Sequence, residues 1–134
     1  MINQKVLVVL VSLVLATGCS EDPAKVAARK AEAEAQAIAA AAKQDEDDSK
    51  KAVLAGLKDP DSAKFGKFSL AGKVQGNQAA CLTVNAKNSF GGYTGDAQAI
   101  MTKMEGKWVV MQLGMKIVGR ELSHDECINM MTPK

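Results

Sequence analysis

Three cysteines, Cys19, Cys81 and Cys127, and one histidine, His124, are the residues of this 134-residue chain with the widest chemical repertoire. Their spacing argues against a metal or redox centre. No C-x-x-C pair occurs, and one histidine beside scattered cysteines lacks the ligand clustering of a zinc site. Nucleophilic catalysis fares no better. Ser62, Ser69, Ser89 and Ser123 lie outside any G-x-S-x-G or S-x-x-K context, and the carboxylates from Asp45 to Asp48 form a charge run of the kind that stays solvated. His124 falls inside SHDE, a capping box with two acids, where a solvent-facing residue at a helix start is expected. The chain is therefore expected to be no enzyme and to hold no cofactor and no metal. With 17 Lys+Arg against 15 Asp+Glu and no basic cluster, it carries no nucleic-acid footprint either.

Recognition chemistry concentrates in NAKNSFGGYTGD, Asn85 to Asp96. Its three glycines permit positive φ, and Phe90 and Tyr93 offer flat contact area on a chain only 4% aromatic. Asn85 and Asn88 add amide donors and acceptors. As an exposed loop it is a candidate binding surface for a peptide, a glycan or a protein. As a structural loop, its glycines turn the chain, its asparagines cap the turns and its rings cover the rim of a small core. Both readings fit the residues. The glycine spacing matches no phosphate-cradling loop.

The first residues carry a different signal. Met1 to Lys5 is a short polar start with one positive charge, and Val6 to Ala16 is an apolar run. As a helix that run reaches only roughly half of the ~30 Å hydrocarbon core, so it reads as a secretory signal rather than a membrane span. It ends in Ala16, Thr17 and Gly18 ahead of Cys19, which resembles the lipobox of bacterial lipoproteins. That resemblance implies cleavage before Cys19 and acylation of its sulfur and new amino group, with the lipid bilayer as the partner of the modified residue. Several acyl chains, at about 0.8 kcal/mol per buried CH₂, make such an anchor effectively permanent. Ser20, in place of Asp, points within such families to the outer membrane, facing the periplasm. With Cys19 assigned to lipid, Cys81 and Cys127 remain, and in an oxidising compartment a disulfide between them is expected.

These residues need elements to position them. Residues 1–18 are read as signal peptide, 19–46 as an Ala-rich tether and 47–134 as one small α+β domain. In the tether, alanine with Lys, Arg, Glu and Gln favours a helix that Asp22 can cap and Pro23 can open. The alternatives are a tether largely disordered or only partly helical, and a weak Ala-faced self-association helix, against which the small area that Ala buries argues. Val26 and Ile38 are its only larger apolar residues, too few for a packed stripe. About twenty helical residues would span ~30 Å. The domain is expected to open with a short helix capped by Asp48 or Ser49, carrying Val53 and Leu57 on one face and stopped by Pro60. Asp59 then caps a short turn. KFSLAGKV and AACLTVNAK, joined through QGNQ, read as one hairpin. AIMTK and KWVVMQL read as another around Glu105–Gly106, with Met104 opposite Lys107, Thr102 opposite Val109 and Ile100 opposite Met111. A short helix begun by the SHDE box carries Cys127 back to the strand of Cys81. The expected sheet has about four antiparallel strands, one face against the first helix and the other partly covered by the tail.

KDPDSAKF (Lys58 to Phe65) and VNAKNSFGGYTG (Val84 to Gly95), with Cys81 just ahead, together resemble a group of small uncharacterised proteins of bacteria and their phages, many of them exported. Leu82 and Thr83 stand where Gly and Glu are more usual. The resemblance implies a shared domain fold and no catalytic activity. Two functions are then expected to compete. One is an anchored binding module that captures an envelope protein, with a phage-related exclusion or inhibitor lipoprotein as a variant; the other is a structural envelope component without a ligand site.

Overall fold

A computed structural model describes residues 22–117 and 119–132. The chain divides into two units, Met1–Ala35 and Gln36–Lys134. The described part of the first is helical from Pro23 and exposed throughout. Asp22 caps it, its carboxylate accepting from the Ala24 amide at 3.0 Å.

Helix α1 runs without interruption over Pro23–Leu54, so no second helix starts at Asp48 or Ser49. No Gly or Pro interrupts the charged segment, and side-chain pairs bridge it: Glu46 with Lys50 at 2.6 Å and Asp48 with both Gln44 and Lys51. Ser49 turns inward and is fully buried rather than capping. The helix stops at Leu54, ahead of Pro60, where the Gly56 and Leu57 amides bond back to the Val53 and Leu54 carbonyls. A single 3-10 turn, Pro60–Ser62, follows, capped by Asp59 as its sequence indicates.

Strands β1 (Lys64–Val74), β2 (Asn77–Asn85), β3 (Ala97–Met104) and β4 (Lys107–Leu113) form one antiparallel sheet in chain order. Both tight turns place two successive residues at positive φ, Gln75–Gly76 and Glu105–Gly106, the hairpin geometry that matches strand twist. A two-residue ribbon, β5 (Lys116–Ile117) with β6 (Arg120–Glu121), leads to helix α2, His124–Met131. The fold is α+β, as expected.

The sheet separates two cores. On one face Val53 of α1 packs with Leu82, Val84, Met101 and Trp108, and the Phe68 and Trp108 rings meet edge to face at 6.3 Å. On the other, Cys81, Ile100, Leu122 and Cys127 form a smaller cluster beneath α2. The Cys81–Cys127 disulfide joins β2 to α2 across 46 residues. The SHDE box is present in both directions: the Ser123 hydroxyl accepts from the Glu126 amide, and Glu126 accepts from the Ser123 amide.

One register differs from the sequence expectation. Met104, Lys103, Thr102 and Met101 face Lys107, Trp108, Val109 and Val110, but Ile100 faces Gln112 rather than Met111. A bulge leaves Met111 as the extra residue of β4. It restores alternation beyond it, so that Leu113 joins Trp108 and Val110 at the α1-side core.

Candidate functional site

The loop between β2 and β3 is built around Asn88. Its side-chain oxygen accepts from the Phe90 amide at 2.9 Å and from the Gly92 amide at 3.2 Å, while its backbone N–H donates to the Gly92 carbonyl at 2.9 Å. Asn88 is thus the buckle of a tight turn, and its carbonyl oxygen is used inside the loop. Lys87 and Tyr93 close the neck as an isolated antiparallel bridge. Asn85 holds the base, its amide donating to Asp96 at 3.3 Å, and its own oxygen is buried without a protein partner.

The 3-10 turn braces this loop from the side. The Ser62 hydroxyl accepts from the Lys87 amide at 2.9 Å, and the Ser62 carbonyl accepts from the Tyr93 phenol at 3.2 Å. Lys64 and Lys87 place their ammonium groups 4.5 and 5.6 Å from the centroid of the Tyr93 ring. The KDPDSAKF and VNAKNSFGGYTG segments, far apart in sequence, are therefore one structural unit. Of the four candidate loop residues, Asn85 and Asn88 brace, and Tyr93 clasps while its side chain stays 44% exposed. Phe90 is 96% exposed at the loop tip.

Beside the loop lies an open cleft of about 740 Å³, lined among others by Tyr93, Asn88, Lys58, Lys87, Lys116 and Glu121. Lysines outnumber carboxylates there. Glu121 is held 3.7 Å from Lys116, and its second oxygen is buried without a protein partner.

His124 departs from the sequence expectation. It does not face solvent. It is partly buried between α2 and the sheet, with Nε2 3.0 Å from the Ser69 hydroxyl and Nδ1 3.1 Å from the Gln98 side-chain oxygen and 3.2 Å from the Thr83 hydroxyl. The neutral ring satisfies these contacts when Nδ1–H donates to Gln98 and Nε2 accepts from Ser69. Burial lowers its pKa, Lys67 adds to that, and Asp125 opposes it. Ser69, Thr83 and Gln98 come from three strands, so no local pattern announces the network. Because the folded state disfavours the proton, its contribution is complete above the unfolded value near 6.5 and is lost as pH falls through the lower folded value. Urea unfolding between pH 7.5 and 5 should show stability falling on acidification, and His124→Gln should flatten that slope. An unchanged slope would assign it elsewhere.

At the opposite side of the same cap, Arg120 and Glu126 form a paired contact that, with the Ser123 bonds, holds the Glu126 carboxyl well below the usual carboxylate range. Among the described residues no group of three or more His, Cys, Asp or Glu is placed to hold a metal ion. No described helix is long and apolar enough to cross a membrane. Cys19 lies outside the described residues. No family model matches the chain, and neither a curated protein nor a solved structure is significantly similar to it.

Proposed function

We propose that this chain is an envelope lipoprotein, anchored through acylated Cys19 in the outer membrane and facing the periplasm, whose α+β domain is a binding module that works through the 85–96 loop. The anchor rests on the ATGC segment at Cys19. The binding reading rests on Phe90, an almost fully exposed ring on a loop braced by Asn88 and Ser62. A ring held outward on a fixed backbone loses little conformational freedom on contact, which is what a recognition anchor requires. The lysines of the adjoining cleft favour a partner that sets acidic groups beside an apolar contact for Phe90.

Cys19→Ser tests the anchor. The variant should leave the membrane fraction and keep its leader, whereas a processed, membrane-bound variant would contradict acylation at this residue. Phe90→Ala tests the module. In pull-downs from detergent-solubilised envelopes, the partner retained by the native chain should bind the variant about tenfold more weakly, the loss typical of truncating an aromatic anchor. Its retention should also weaken with salt. Equal recovery by both chains would favour the structural envelope component instead.

A further inference from the structure

On the α2 side of the sheet, away from the 85–96 loop, lies a groove of about 410 Å³. Met104 of β3, Met111 of β4, Met115 of the following turn, and Met130 and Met131 of α2 all line it. The chain has seven methionines; apart from Met1, outside the described residues, only Met101 is absent from this groove. Met101 is fully buried in the other core.

Met115 and Met131 also pack on the Cys81–Cys127 cluster, but the other three side chains are not there to fill space. Met111, Met130 and Met104 remain 62%, 48% and 47% exposed, where a packing methionine would be covered. The bulge in β4 contributes directly. By inserting Met111 between the Ile100–Gln112 and Met101–Val110 pairs, it lets two successive residues, Met111 and Gln112, line the same groove. The remaining lining is neutral: no Asp, Glu, Lys, Arg or His contributes.

Thioethers are soft, uncharged donors, and they select soft cations such as Cu(I) over hard divalent ions. Among the described residues the competing thiols are occupied, because Cys81 and Cys127 are joined to each other. A neutral, largely apolar groove also suits a monovalent ion better than a divalent one, since the charge to be desolvated is smaller. We infer that this methionine-lined groove is a binding site for a soft monovalent cation, Cu(I) or its analogue Ag(I). The expected absence of a metal rested on thiol and imidazole spacing, and thioethers are a separate class of donor. Binding involves no electron transfer; the ion enters already monovalent and leaves unchanged.

The test uses the full chain in non-ionic detergent with ¹³C-methyl-labelled methionine. Silver nitrate should shift the groove methyl signals and leave Met101 in place, saturating at one equivalent. Cu(I), kept reduced by ascorbate, should be retained against a colorimetric Cu(I) chelator. The double variant Met104→Leu/Met111→Leu keeps the apolar volume and removes two sulfurs, so its affinity should fall at least about tenfold. Met101→Leu should bind like the native chain. Absence of saturation, shifts spread over all methionines, or a double variant that titrates like the native chain would each overturn the assignment. If silver shifts no methionine methyl and Cu(I) is lost to the chelator, the groove is an apolar surface and holds no ion.

Discussion

Replacing Cys81 and Cys127 together by alanine lowers the unfolding free energy by about 4 kcal/mol, the loop-closure value for a bridge of this span. The cystine links β2 to α2 across 46 residues, and both of its ends are fully buried. Helix α2 has only eight residues, and its attachment depends on Cys127, Leu122 just before it, and partly buried Ile128 and Met131. An isolated helix of that length does not persist in water. Without the bridge, docking must be held by that small apolar cluster and the His124 contacts. Urea denaturation measures the loss, and hydrogen exchange locates it: α2 amides should lose protection before those of β2 and β3. A midpoint within experimental scatter of the native one would show that the apolar cluster alone secures the helix. Because a 5–15 kcal/mol margin is usual for folded domains, a loss of this size leaves little reserve.

The second large effect belongs to Trp108. Its ring is 6% exposed, packs edge to face on Phe68, and sends its indole N–H to Asp45 at 3.2 Å. Lys103 engages the same Asp45 oxygen and lies 5.6 Å from the indole ring. Trp108→Ala removes the largest side chain of the α1-side core and should cost about 3–5 kcal/mol. Trp108→Phe retains most of the apolar area and loses the bond to a charged acceptor, so about 1–2 kcal/mol is expected. A double-mutant cycle with Asp45→Ala isolates that bond, and strict additivity of the two single losses would mean that it contributes nothing.

Asp45 also shows why the α1 surface that meets the sheet was hard to read. Asp45, Ser49 and Val53 recur every fourth residue on one helical face, and Ser49 and Val53 are buried. Hydropathy periodicity finds apolar stripes. Here two of the three positions are polar: Asp45 is accepted by partners on β3 and β4, and the Ser49 hydroxyl is buried without one. The same ambiguity made the acidic run look like solvated linker and a cap, although i,i+4 pairs carry the helix through it.

Short-range chemistry was legible from the residues alone. The Asp22 and Asp59 caps, the SHDE box and the Glu105–Gly106 turn depend on neighbours within a few positions, and each appears where its sequence places it. The disulfide was legible because only one pair remained once Cys19 was set aside. Tertiary structure decided the rest. The His124 contacts, the Ser62 brace on Tyr93 and the methionine groove join residues from separate strands and helices, and the β4 bulge shifts a face without a glycine or proline to mark it. Local preference acts over one turn of helix or one hairpin, whereas these placements follow from how the sheet and both helices pack together.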